Sequence, residues 1–162
     1  MNKLIILDRD GVINYDSDRY IRTVNEFIPL PGSLEAISLL KKNGYFIAVA
    51  TNQSGIARGY YTDEVLHSMH KKLDSLLSPF AAAIDHLEYC PHLSSSNCQC
   101  RKPLPGMLLN ISDHFHLSLQ GVPVIGDSLR DIKSALAVGA SPYLVTTGKG
   151  RRTIHNCRTD LT

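Results

Sequence analysis

Leu4-Ile5-Ile6-Leu7-Asp8-Arg9-Asp10-Gly11-Val12 opens the chain with a short apolar run that stops at two carboxylates. Four consecutive aliphatic residues without polar alternation are the pattern of a strand buried on both faces, as in a parallel sheet. Similar runs follow: residues 46–50 end at Thr51, residues 122–126 end at Asp127, and Tyr143-Leu144-Val145 comes last. Residues 85–89 can add another strand.

Helical periodicity separates these runs. Leu34, Ile37 and Leu40 share one face of a segment that starts after Pro31-Gly32-Ser33 and is stopped by Gly44. Thr62 is a candidate cap for a helix over 63–77, with Asp63 and Glu64 at its positive end. Its inward stripe is Val65, Leu66, Met69, Leu73, Leu76 and Leu77. Pro103 to Phe115 reads as a helix with Pro105 in its first turn, and Ile132, Leu136 and Val138 as the inward stripe of another. Strand alternating with helix predicts an α/β fold with a Rossmann-like, doubly wound, mostly parallel sheet. Reactive groups of such a sheet gather beyond the carboxyl ends of its strands, where Asp8, Thr51 and Asp127 all fall.

The 162 residues, 43% hydrophobic and 20% charged, suit one globular domain over 1–162. A net charge of only +2 argues against a nucleic-acid coating protein. Lys149-Gly150-Arg151-Arg152 is the sole basic knot, either a solvated edge or a phosphate or RNA contact. No apolar run approaches the roughly 18 residues of a membrane span, and Met1-Asn2-Lys3 does not start a signal peptide, so the expectation is a cytoplasmic protein without a membrane partner. Residues 14–30, with Tyr15, Asp16, Asp18, Arg19, Tyr20 and Glu26, are too long for a minimal turn and could either contact a substrate or cover the sheet edge.

Cys90-Pro91-His92, five further residues and Cys98-Gln99-Cys100 place three sulfurs and one imidazole in a loop over 90–100. These four donors suit a closed tetrahedral Zn2+ site, structural because no position is left open. Thiolates on a metal fit a reducing compartment better than a disulfide scaffold does; Cys157 stands apart in a polar tail.

Asp8 at a strand end could attack phosphorus and form an aspartyl-phosphate. Asp10 could protonate the leaving oxygen and then take a proton from water. Carboxylates that receive a phosphate need a counter-charge, which Mg2+ would supply on Asp8, the main-chain carbonyl of Asp10 and Asp127. Lys102 could hold the transferred phosphoryl group, with Thr51 and nearby amides on its remaining oxygen. Asp131, four residues after Asp127, could orient Lys102, support the metal shell or simply cap a helix. Arg101 could grip a second phosphate or remain solvated. Asn52, Gln53 and Ser54 could bind phosphate or sugar hydroxyls, or form a turn. His67, His70, His86, His114, His116 and His155 show no ligand spacing and read as structural.

Together these motifs resemble the haloacid dehalogenase superfamily of phosphatases, in its histidinol-phosphatase-like branch. Asp8-Arg9-Asp10-Gly11-Val12 looks like its first motif, Thr51-Asn52-Gln53 its second, Lys102 its third and Gly126-Asp127 through Asp131 its fourth. The resemblance implies Asp8 as nucleophile, Asp10 as general acid/base, Thr51 and Lys102 as phosphate stabilisers, and Mg2+ on Asp8, Asp10 and Asp127. Thr51-Asn52-Gln53-Ser54-Gly55-Ile56-Ala57-Arg58-Gly59-Tyr60, the Cys90/His92/Cys98/Cys100 loop and Thr147-Gly148-Lys149-Gly150 are similar to the members that act on a heptose bisphosphate. That likeness implies loss of the C7 phosphate from a phosphorylated heptose on the way to lipopolysaccharide. It also implies substrate contacts from Thr51, Asn52, Gln53, Ser54, Arg58, Arg101 and Lys102, and a monomer without a large cap domain whose inserted loops shape the pocket. A histidinol-phosphate phosphatase with the same motifs, and a zinc-stabilised phosphate-binding module without turnover, remain alternatives.

Overall fold

A computed structural model describes residues 3–159. Met1, Asn2 and residues 160–162 lie outside the described residues, and with them the ends of the expected 1–162 domain and the reading of the Met1-Asn2 start. Strands β1 (Lys3–Leu7), β2 (Tyr45–Asn52), β3 (His86–Cys90), β4 (Pro123–Gly126) and β5 (Ser141–Leu144) form one sheet in the order β3-β2-β1-β4-β5. Every pairing is parallel, with Leu7 facing Val49 on one side and Ile125 on the other.

The unbroken apolar runs resolve into two interleaved sets, because successive side chains of a strand point to opposite faces. Ile5, Leu7, Ile47 and Val49 enter one core with Leu66, Met69, Leu73 and Leu77 of helix α2 (Asp63–Leu77), beside helix α1 (Ser33–Lys42). Leu4, Ile6, Ala48 and Ala50 enter the other with Met107, Leu108 and Ile111 of helix α3 (Gly106–Phe115) and Ala135 of helix α4 (Leu129–Ala137). Helix α5 (Gly150–Thr159) closes the order. From β1 the chain winds outward through β2 to β3, then returns to β4 on the other side of β1 and continues to β5. The crevice at this reversal is where ligands bind in such sheets, and Asp8 and Asp127 stand at its two lips.

Helix α2 matches the expected span, and the Thr62 side chain accepts from Val65 N at 3.3 Å. Two expectations are corrected. Helix α3 starts at Gly106 rather than Pro103: Leu104 N bonds Arg101 O at 2.9 Å in a turn, and Gly106 N bonds Gln99 O at 3.0 Å. A Cβ on Gly106 would strike Gln99 O, so the Cys/His loop sits directly against the helix start. In α4 the buried residues are Asp131, Ser134 and Ala135, and Val138 just beyond it packs against the core as expected, whereas Leu136 is 62% exposed. A carboxylate buried against Lys102 sets the rotation of this helix, overriding its apolar stripe.

Between β1 and α1 the chain forms only one 3-10 turn, Val24–Glu26, and no separate cap domain stands over the sheet among the described residues. Ile21 and Phe27 of this long connection are buried in the core, while Asp16, Asp18 and Tyr20 line the cavity beyond the strands. Covering and lining are thus divided between neighbouring residues of one loop. No helix among the described residues is long and apolar enough to cross a membrane. Leu73→Ala should cost about 2–5 kcal/mol of stability by leaving a cavity, and Leu136→Ala less than about 0.5 kcal/mol, as read by urea denaturation.

Candidate functional site

A cavity of about 190 Å³ opens beyond the carboxyl ends of the strands, lined almost wholly by polar and charged side chains. Asp8 lies at its floor because β1 ends there, its N–H bonded to Ile125 O of β4 at 2.9 Å. Asp8 Oδ1 accepts from Arg9 N at 2.8 Å and from Lys102 Nζ at 3.1 Å. Asp8 Oδ2 makes no hydrogen bond among the described residues, so one oxygen is anchored and the other is available. Burial lifts the Asp8 pKa to about 8; Lys102 pulls against that rise, while Asp131, Asp127 and Asp10 add to it.

Lys102 is only 5% exposed and spends its ammonium on Asp8 Oδ1, Ala50 O at 2.8 Å and Asp131 Oδ1 at 2.6 Å. Burial disfavours its charge, but Asp131 and Asp8 more than compensate and hold its pKa above the ordinary value. Asp131 Oδ2 accepts from Asp127 N, Ser128 N and Ser128 Oγ, which caps α4. Asp131 thus contacts Lys102 through one oxygen and the start of α4 through the other.

Asp10 is held differently. Its Oδ1 accepts from Arg9 Nε at 2.9 Å, Arg9 Nη2 at 2.7 Å and Asn14 Nδ2 at 2.8 Å, and its Oδ2 from Gln53 Nε2 at 3.0 Å. Burial alone would raise the Asp10 pKa; the Arg9 charge and these hydrogen bonds prevail and hold it below the ordinary value.

Among the residues expected to touch a substrate, the structure finds different commitments. Thr51 is buried at the end of β2 and its Oγ1 accepts from Gln53 Nε2 at 2.9 Å. Gln53 also bonds Asp10, and its Oε1 accepts from Tyr61 OH at 2.5 Å, so both of its amide hydrogens are spent on site residues. Asn52 clasps the Lys102 backbone in both directions, at 3.1 and 3.0 Å. Ser54, Arg58 and Arg101 line the cavity, with Arg58 exposed beside the Tyr20 ring. Burial and the nearby Arg130 guanidinium depress the Arg101 pKa, marking two cations drawn close together. Lys149 reaches Asp16 at 3.5 Å and donates its N–H to Asp127 Oδ2 at 2.8 Å, so the basic knot faces inward at that residue.

Two donor groups suit metals. Asp8, Asp127 and Asp131 each offer an oxygen within 4.8 Å of the others, but Asp131 is engaged by Lys102 and the α4 cap. Asp127 Oδ1 makes no hydrogen bond among the described residues and, with Asp8 Oδ2, leaves two hard oxygens that match Mg2+. Cβ atoms on Gly11 or Gly148, both at positive φ, would strike the Asp127 carboxylate, so two backbones close around this oxygen cradle. The Asp10 carboxylate is turned away to Arg9, which leaves its main-chain carbonyl as the group from that residue to consider. In the second group Cys90, His92, Cys98 and Cys100 converge within 4.8 Å, with Cys90 Sγ 3.8 Å from Cys98 Sγ and 3.5 Å from His92 Nδ1. Sulfurs on a tetrahedral zinc, each about 2.3 Å from it, stand about 3.8 Å apart, as Cys90 and Cys98 do, while Cys100 Sγ is drawn to 3.0 Å from Cys90 Sγ; three sulfurs and one imidazole are donor types that fit that ion. Arg101 Nη1 bonds His92 O at 3.1 Å, coupling the loop to the cavity rim.

Sequence reasoning missed Arg9, Asn14, Tyr61 and His70. Arg9 is fully buried, and its Nη1 lies 3.3 Å from His70 Nε2. A cation between two acids was a visible hint; no linear signal links His70 to it, because α2 brings them together across the core.

The chain is similar to known proteins over most of its length. The family model described as Polynucleotide kinase 3 phosphatase matches residues 3–129, and one described as HAD-hydrolase-like matches residues 99–161. The chain is 56% identical over 152 residues to D-glycero-beta-D-manno-heptose-1,7-bisphosphate 7-phosphatase of Pseudomonas putida, covering 94% of this chain and 87% of the relative. The Escherichia coli protein of that name is 38% identical over 153 residues, covering 90% and 80%. A crystal structure of D,D-heptose 1,7-bisphosphate phosphatase from Bordetella bronchiseptica, complexed with magnesium and phosphate, superposes with a TM-score of 0.93 at 46% identity, covering 95% of this chain and 86% of that one.

Burial, with Arg9 and His67 nearby, pushes the His70 pKa down to about 3. The unfolded chain then takes up a proton near pH 6.5 that the folded protein refuses, so stability is lost as pH falls from about 6.5 toward 3. His70→Gln should lose less stability than the parent between about pH 6.5 and 4.5, read by denaturant titration across that range.

Proposed function

The chain belongs to the haloacid dehalogenase-like phosphatases, in the family of the D-glycero-beta-D-manno-heptose-1,7-bisphosphate 7-phosphatases, and we propose that it removes the C7 phosphate of that β-anomeric sugar through an aspartyl-phosphate, leaving heptose 1-phosphate. The observation that carries this reading is the asymmetric anchoring of Asp8, which ties one oxygen to Lys102 and leaves the other available at the sheet's reversal.

The Asp8 carboxylate attacks phosphorus while the bond to the C7 oxygen breaks, and Asp10 gives its proton to the departing alkoxide. Ionised Asp10 then takes a proton from the water that attacks the phosphoryl group, and the Asp8 carboxylate and phosphate separate. Lys102 offsets the charge that accumulates beside Asp8, and Thr51 with adjacent backbone amides holds a phosphoryl oxygen. Bound Mg2+, held by Asp8, Asp127 and the Asp10 carbonyl, would supply positive charge to the phosphate oxygens. Asn52 and Gln53 serve chiefly by fixing Lys102, Thr51 and Asp10, while Ser54 and Arg58 face the sugar. Arg101, close to Arg130, receives the retained C1 phosphate.

Residues 1–162 act as one domain in this reading, and Zn2+ on Cys90, His92, Cys98 and Cys100 holds the 90–100 loop so that Arg101 and Lys102 meet the substrate. The protein works as a cytoplasmic monomer on a phosphorylated heptose, without a nucleic-acid partner.

Mg2+-dependent phosphate release should favour the β over the α anomer of the heptose bisphosphate and over histidinol phosphate, with phosphorus NMR showing loss at C7. Preferential hydrolysis of histidinol phosphate would overturn the substrate assignment. Asp8→Asn should abolish multiple turnover, because a carboxamide cannot become the phosphorylated nucleophile. Metal analysis should find about one zinc per chain, and Cys98→Ser should lower the melting temperature while turnover still requires magnesium.

A further inference from the structure

Asp10 has one oxygen that is crowded and one that is not. Three N–H groups converge on Oδ1 at 2.7–2.9 Å, two of them from the Arg9 fork, whereas among the described residues Oδ2 accepts only from Gln53 Nε2 at 3.0 Å. A charge-assisted fork fixes both distance and plane, and an oxygen already receiving three donors cannot carry a proton without losing one. We propose that Arg9 and His70 are positioning residues that lock Asp10 Oδ1 and thereby assign proton transfer to Oδ2, an inference that rests on the reading of Asp10 as general acid/base.

The Arg9 fork is held from behind. Its side chain is 0% exposed, its Nη1 lies 3.3 Å from His70 Nε2 and 3.6 Å from Met69 Sδ, and its guanidinium carbon stands 5.3 Å from the centre of the Phe27 ring. A guanidinium only donates, so His70 Nε2 is the acceptor and the ring proton sits on Nδ1. Helix α2 thus supplies the acceptor that stops the fork from turning, and the long loop supplies the ring beneath it. Asn14 has been oriented to the same end: its Nδ2 serves Asp10 Oδ1 and Tyr15 O, while its buried Oδ1 finds no partner among the described residues. Charge neutralisation alone would need neither this orientation nor a fork. The proton on Oδ2 passes to the C7 oxygen as its bond to phosphorus breaks, and Oδ2 recovers a proton from the water that opens the aspartyl-phosphate.

Leaving groups separate this role from mere support of the core. An alkoxide must be protonated as it departs, whereas p-nitrophenolate leaves with little help, and kcat/KM reports that first transfer. His70→Leu should lower kcat/KM for the heptose bisphosphate about 10- to 100-fold and for p-nitrophenyl phosphate less than about 3-fold. His70→Gln, whose Oε1 can replace Nε2 as acceptor, should recover most of the loss. Equal losses on both substrates, or unchanged rates, in folded His70→Leu would overturn the proposal. Should that variant not fold, Arg9→Lys keeps the charge without the fork and should show the same discrimination, with equal losses again overturning the idea. Asp10→Asn is the reference: if it fails to discriminate between the leaving groups, the general-acid reading itself is wrong and the positioning inference falls with it; if it discriminates and His70→Leu does not, only the positioning inference falls.

Discussion

A single buried ammonium organises this molecule. Lys102 Nζ joins Asp8 at the end of β1, the Ala50 carbonyl of β2 and Asp131 of α4, from a segment that leads out of the Cys/His loop. Removing it would leave two carboxylates buried without their counter-charge, a loss of about 3–5 kcal/mol by analogy with other broken buried pairs. The same contact explains why α4 presents a polar face inward and why Asn52 is spent on the Lys102 backbone. The fold around this ion pair network is therefore built to the demands of the crevice, and the apolar surface adapts to it.

Two aspartates separated by one residue acquire opposite character from their neighbours. Asp8 keeps one oxygen without a hydrogen bond among the described residues, and burial among other acids raises its pKa. Asp10 receives four N–H groups and is held as a carboxylate. The proposed reaction uses the opposite order, an ionised Asp8 and a protonated Asp10, so bound Mg2+ beside Asp8 and the substrate phosphate beside Asp10 would have to reverse it; the order is set by environments rather than by the residues themselves. Its instruments are far apart in the chain: Lys102 for the first, and Arg9, Asn14 and Gln53 for the second. The Gln53 amide also touches Thr51, so the groups proposed for proton transfer and phosphate binding share one hydrogen-bond chain.

The sequence by itself determined the sheet and the location of its chemistry. Uninterrupted apolar runs favour burial on both faces, and three of them ended at Asp8, Thr51 and Asp127, which now line the crevice. Helix α2 was legible because its cap, charges and apolar spacing agree with one another. The metal-type donors were legible because cysteine and histidine at short spacing leave few other readings. Local rules failed where a distant partner outweighed them: Leu136 is exposed because Asp131 takes the inward position, and α3 begins late because the Cys/His loop abuts Gly106. The tertiary structure alone decided which Asp8 and Asp10 oxygens are committed, that Arg9 is fully buried, and that His70 stands behind it. Those outcomes depend on directions and distances between segments up to 94 residues apart, which no pattern along the chain encodes.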